Sequence, residues 1–107
     1  MITYGDFQKL EIRIGTIESA DRIEGADKLL KLIIDFGDEK RQILAGIAEF
    51  YPEIEGLVGK QVPVLVNLEP RVMRGLESQG MILAADVNEK AVLLHPDQAV
   101  PAGSGVR

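Results

Sequence analysis

The apolar residues of this 107-residue chain fall into short runs of period two, broken once by a stretch of helical period. No two runs are spaced for the helical crossover that parallel strands require, so the pattern calls for antiparallel sheet. Ile12 and Ile14 alternate with Glu11 and Arg13, and the apolar phase then moves to Ile17 just after Gly15, which predicts a bent first strand bulged at the glycine. Leu29 to Asp35, a turn at Phe36-Gly37-Asp38-Glu39, and Ile43, Ala45 and Ile47 alternating with Gln42, Leu44 and Gly46 predict a hairpin. From Ala48 to Gly59 the spacing of Phe50, Ile54, Leu57 and Val58 is helical, held to a short or broken helix by Pro52 and Gly56. Val62, Val64 and Val66 resume the strand pattern, with Pro63 pointing to an edge or bulge, and Gly80 to Asp86 and Ala91 to His95 form two last β runs around Asn88-Glu89. Tyr4 to Lys9 reads as a short helical turn capped by Asp6, and Pro101 to Gly105 as a loop-like tail. Three strands, a short helix and further strands are the order of an all-β OB-fold, a five-stranded Greek-key barrel with a helix between its third and fourth strands.

The length fits one domain, residues 1–107. With 46% hydrophobic and 27% charged residues the chain is expected to fold, and with no cysteine it must do so by packing alone. No apolar run is long enough to span a bilayer and the N-terminus lacks the layout of a signal peptide, so a cytoplasmic location is expected. The net charge of −5 opposes polyphosphate at long range, so any nucleic-acid site must be a local patch. Catalytic readings find little to work with. His95 is the single histidine and precedes Pro96. Gly56-Leu57-Val58-Gly59-Lys60 lacks the leading glycine and the Ser or Thr of a phosphate loop, and Gly103-Ser104-Gly105 has no helix after it. No enzyme activity, cofactor or metal is expected.

Four segments stand in a recognisable order: Phe7-Gln8-Lys9-Leu10-Glu11-Ile12-Arg13-Ile14-Gly15, Ala26-Asp27-Lys28-Leu29, Arg41-Gln42-Ile43-Leu44-Ala45-Gly46-Ile47-Ala48, and the long run from Val64 through Asn67, Pro70, Arg71, Arg74 and Gly80 to Ala85. Together they resemble one tRNA-binding domain family. That family includes the C-terminal domain of many methionyl-tRNA synthetases, stand-alone bacterial tRNA-binding proteins, the CsaA export-related chaperone and the endothelial-monocyte-activating polypeptide module. The resemblance spans about residues 7 to 106 and implies an OB-fold, dimeric when free-standing, that grips tRNA by shape and backbone. With Met1 standing just before the first motif, the chain is expected to have no catalytic domain of its own and to bind tRNA either free-standing or as the small partner of an aminoacyl-tRNA synthetase catalytic chain. Glu69 stands where relatives often carry lysine, and Ala45 where many carry serine, which removes one phosphate contact and one hydroxyl. A CsaA-like peptide-binding chaperone is the alternative the same motifs allow.

The candidate site centres on the loop from Asn67 to Gly80. Arg71 and Arg74 offer planar forks of donors to phosphate oxygens. Asn67 is suited to a turn or to a nucleotide, and Ser78 and Gly80 to ribose or phosphate. Met73 is a candidate cover for a base or ribose, whereas Met81 is expected in the core. Lys28, Lys31 and Arg41 extend the basic strip if the hairpin folds beside the loop. All five aromatics lie in the first half of the chain, leaving the loop without a stacking platform of its own.

Overall fold

The computed structural model describes residues 1–107. A four-residue helix, α1 (Tyr4–Phe7), opens the chain, capped by Thr3: its hydroxyl accepts from the Asp6 amide while the Asp6 carboxylate accepts from the Thr3 amide. Asp6 thus serves at the third helical position of a capping box and not as the cap itself. Ten strands follow: β1 (Ile12–Ile23), β2 (Ala26–Asp35), β3 (Lys40–Ala45), β4 (Gln61–Leu65), β5 (Arg71–Met73), β6 (Leu76–Ser78), β7 (Met81–Ile82), β8 (Ala84–Val87), β9 (Lys90–Leu93) and β10 (Gly105–Val106). The main sheet runs β3-β2-β1-β4-β7, antiparallel throughout, with β10 added to the start of β1. It curls into an OB-like barrel around Ile17, Leu30, Leu32, Ile34, Phe36, Ile43, Leu57, Val62 and Val64, each almost fully buried. Full burial of one such side chain is worth ~1.5–3 kcal/mol, so packing suffices where no disulfide is available. No helix is long and apolar enough to cross a membrane.

The bulge expected at Gly15 is absent, because Ile14, Gly15 and Thr16 pair with Pro63, Val62 and Gln61 in unbroken register. The apolar phase moves because β1 is covered on both faces. Ile17 belongs to the barrel core, and a Cβ on Gly15 would collide with Ile34 and the Phe36 ring, whereas Ile12 and Ile14 are buried outside that core. The register against β2 slips later, between Ile17 and Ser19 and again between Arg22 and Ile23. Pro63 is tolerated in β4 because Ile14 turns its own amide and carbonyl to Ser104 and Gly103, and β7 reaches only Val64 and Leu65.

Between β3 and β4 the chain forms two 3₁₀ turns, Ala48–Phe50 and Ile54–Leu57, in place of an α-helix. Pro52 supplies no amide between them. Leu57 anchors the second turn in the core, and the Tyr51 hydroxyl accepts from the Leu93 amide at 3.0 Å. The final β runs differ in role: β7 belongs to the barrel, while β8 and β9 form a separate hairpin. The C-terminal segment is no free tail. Gly105 and Val106 pair with Arg13 and Ile12, and the Gly103 amide donates to the Ile14 carbonyl at 2.7 Å. Gly103, at φ 93°, lies so close to the Phe36 carbonyl and the Arg13 guanidinium that no Cβ fits there.

Candidate functional site

The stretch expected as a loop is a hairpin. Arg71, Val72 and Met73 of β5 pair with Ser78, Glu77 and Leu76 of β6, leaving Arg74-Gly75 as a two-residue tip with both φ values positive, 54° and 77°. Two residues of positive φ give a turn whose twist matches that of the flanking strands. The base of the hairpin is bonded to β3. Ser78, only 4% exposed, accepts from the Leu44 amide and donates to the Gly80 carbonyl, both at 3.0 Å. Gln42 donates to the Glu77 carbonyl at 2.9 Å and exchanges two further bonds with Gln79. These contacts bring the hairpin against the outer face of β2 and β3.

Beside the hairpin runs a groove of about 370 Å³. Leu29, Leu44, Ala45, Gly46 and Ile47 line one part, Met81, Ile82, Ala84 and Ala91 another, and Arg71 and Met73 complete it. A cleft of about 280 Å³, lined by Gly25, Ala26, Asp27, Lys28, Leu29 and Arg74, adjoins it through the shared Leu29. A small notch of about 40 Å³ lies between Leu44, Met81 and the start of the hairpin and includes Glu69, Ser78 and Gly80. Lys31 stands opposite Leu44 in the β2–β3 ladder, which puts it on the same outer face.

Six of the nine expected site residues therefore border these hollows, namely Lys28, Arg71, Met73, Arg74, Ser78 and Gly80, with Lys31 on the adjoining face. Ser78 and Gly80 do so as framework. The hydroxyl of Ser78 is committed on both sides, and Gly80, at φ 154°, has the Leu65 carbonyl and the Ile43 side chain 3.0 Å from where a Cβ would stand. Arg41 and Asn67 are also engaged within the protein. Arg41 donates to the carbonyls of Val66 and Gln79 and pairs with Glu39 at 2.7 Å. Asn67 joins the N-terminal segment to the end of β4, accepting from the Glu11 amide and donating to the Lys9 carbonyl. Met81 corrects the expectation of a core residue: at 44% exposure it lines the groove. The groove floor was not singled out from sequence, though Leu44 gave a signal as an apolar side chain in the polar phase of β3.

Charge pairing separates the cations. Arg13 meets Asp38 and Glu39, Arg41 meets Glu39, Lys40 meets Glu18, and Lys9 meets Asp6, all within 3.7 Å. The hydrogen bond from Arg13 holds the Asp38 carboxyl below its ordinary range, and that from Arg41 does the same for Glu39. Arg13 also lies over the Phe36 ring at 5.4 Å. Lys28, Lys31, Arg71 and Arg74 have no carboxylate partner, as is true also of Arg22, Lys60, Lys90 and Arg107; on the hairpin side the first four gather on one face, with Asp27 and Glu69 lining the same hollows. No aromatic ring lines the groove; Phe36 is buried and Tyr51 is tied to Leu93.

The chain is similar to known proteins in sequence and in fold. Residues 12–105 match the family described as "Putative tRNA binding domain". The whole chain is 57% identical over 107 residues to a methionine–tRNA ligase of Methanothrix thermoacetophila, of which it spans 16% of the length. Among solved structures, a MetRS related protein from Pyrococcus horikoshii superposes with a TM-score of 0.93 at 38% identity, covering 100% of this chain and 98% of that one. The chaperone CsaA of Bacillus anthracis superposes at 0.90 with 31% identity, covering 100% and 99%.

Proposed function

The chain belongs to this tRNA-binding domain family, homologous to a segment of methionine–tRNA ligases, and on that premise we propose that it holds the folded body of tRNA by shape and backbone without catalysing a reaction. The observation that carries this reading is the cluster of Lys28, Lys31, Arg71 and Arg74, unpaired on one face while Arg13, Arg22 and Arg41 are bound to carboxylates or carbonyls. Guanidinium groups on a rigid hairpin contact phosphate oxygens without reading bases, and so add affinity to a synthetase whatever the anticodon. A cytoplasmic module working with a methionyl-tRNA synthetase catalytic chain, attached or separate, follows from the same reading.

A homodimer is part of this proposal. The side of the barrel away from the main core presents a groove of about 430 Å³ lined by Ile14, Pro63, Leu94, His95, Pro96, Gly105, Val106 and Arg107, with Leu94 and Val106 well exposed. A second copy covering this face doubles the cationic patch, which one acidic barrel supplies only once. The same groove favours the second reading, a CsaA-like chaperone that takes apolar peptide. Identity of 57% to a synthetase against 31% to that chaperone supports the first. Filter-binding titrations with total tRNA, set beside capture of an unfolded polypeptide, decide between them: saturable tRNA binding with little capture is expected, and the reverse would reassign the protein.

A further inference from the structure

Resting on the tRNA reading above, we propose that Arg41 is a positioning residue for tRNA binding: it clasps the two ends of the segment that carries the β5–β6 hairpin and so fixes where Arg71 and Arg74 stand. That segment leaves the main sheet after β4 and returns to it at β7, and the last rung between its two stems pairs Leu65 with Met81. Beyond this rung the carbonyls of Val66 and Gln79 both turn to one atom, Nη1 of Arg41, which donates to them at 2.6 and 3.1 Å. From there to the first rung of the hairpin, Arg71 with Ser78, no other hydrogen bond joins the stems. A guanidinium thus takes the place of a missing rung of the ladder.

Glu39 locks the clasp. Its carboxylate accepts from Nε of Arg41 at 2.7 Å and from Nη2 at 3.3 Å, and a planar fork held along one edge has its remaining nitrogen fixed as well. The same surroundings make Arg41 a poor contact for phosphate. Its side chain is 24% exposed, and Glu39, Glu11 and Asp38 place negative charge around it. Arg41 therefore acts through the arginines of the hairpin. A chain without the clasp reaches the same bound state, with the same phosphate contacts, from a free state whose hairpin is in place only part of the time. Affinity falls by that fraction, and the dependence on salt stays as it was.

The test titrates tRNA over a salt series with the intact chain, Arg41→Gln and Arg41→Lys, at a temperature where each is folded. Lysine keeps the charge, but one ammonium cannot hold Glu39 and both carbonyls in a fixed plane. Both variants are expected to bind roughly tenfold more weakly, with the log-log slope of the intact chain. Neither is expected to lose anything further when added to Arg71→Glu/Arg74→Glu, where no grip is left to position. A slope flatter by ~0.7–0.9 in Arg41→Gln, with Arg41→Lys near the parent, would make Arg41 a phosphate contact and overturn the proposal. A lower melting temperature with unchanged affinity would make its role structural only, and an equal further loss in the double variant would show that it acts independently of the hairpin arginines; each overturns the proposal and leaves the tRNA reading standing. Failure of the intact chain to bind tRNA would overturn both. Should neither Arg41 variant fold, Glu39→Gln decides, because it leaves the guanidinium charged and within reach of the carbonyls but unlocks the fork. Binding is then expected to weaken severalfold with the slope unchanged, and an affinity equal to that of the intact chain would overturn the clasp.

Discussion

Arg74 holds φ at 54° on the tip of the β5–β6 hairpin, in a position that asparagine or glycine occupies with far less strain. A left-handed backbone costs an ordinary side chain ~1–2 kcal/mol, so a residue kept there is better explained by what its guanidinium reaches than by the turn. Arg74→Asn is therefore expected to raise stability by up to ~1 kcal/mol in urea unfolding while weakening tRNA binding severalfold. A variant as tight as the parent would remove Arg74 from the site. Arg41 behaves oppositely. Its guanidinium ties the carbonyls of Val66 and Gln79, so Arg41→Ala should lower stability. The carboxylates that hold Arg13 and Arg41 set a pH dependence. Asp38 and Glu39 have lowered folded pKa values, so their contribution is complete above the ordinary carboxylate value, roughly 4, and is lost as the pH falls through and below it. Urea midpoints followed downward from neutral pH should fall in that window, and Glu39→Gln should flatten part of the decline.

At the level of elements, the hairpin is held against β3 with Ser78 as the peg, and the proposed binding depends on that docking. Ser78→Ala leaves the Leu44 amide without its partner in a buried setting, a loss of ~1–3 kcal/mol. Stability and tRNA affinity should fall together in this variant, whereas Arg74→Asn should drive them apart; affinity unmoved by Ser78→Ala would show that docking of the hairpin is irrelevant to binding. The strands β1 to β4 were legible in the sequence because their inward side chains repeat every second residue over five or more positions. The hairpin was not, since Arg-Gly is an uncommon pair for a two-residue turn and β5 and β6 are three residues each. β10 escaped for a related reason: two residues, one of them Gly105, carry no alternation to read. Gly15 misled in another way, because a strand covered on both faces looks like a strand whose phase has slipped. Of the site, Arg71 and Arg74 were visible as sequence neighbours. The pairing that engages Arg41 with Glu39, and the groove floor of Leu29, Leu44 and Gly46, depend on strands meeting across the barrel and have no local signature.

On the scale of the whole molecule, a net charge of −5 opposes polyphosphate at long range, so the cations of the hairpin face must act locally. Asp38, Glu39 and Glu18 are paired with Arg13, Arg41 and Lys40, while Asp27 and Glu69 line the hairpin-side hollows themselves. The proposed homodimer rests on few apolar residues near the C-terminus, because Leu93 belongs to the barrel core and Val100 is fastened to Gln61 by two hydrogen bonds. Removing the C-terminal segment would strip β10 from the sheet, so Leu94→Lys is the cleaner variant. Light scattering should give twice the monomer mass for the intact chain and a folded monomer with weaker tRNA binding for Leu94→Lys; a monomeric intact chain would remove the dimer. The central claim, that unpaired cations of the hairpin grip the phosphates of tRNA, is tested most directly by titrating tRNA over a series of salt concentrations with the intact chain and with Arg71→Glu/Arg74→Glu. Each phosphate that an arginine no longer neutralises takes ~0.7–0.9 from the log-log slope, so the double variant should bind roughly tenfold or more weakly, with a slope flatter by about 1.4–1.8 and an unchanged melting temperature. An affinity and slope equal to those of the intact chain would contradict it.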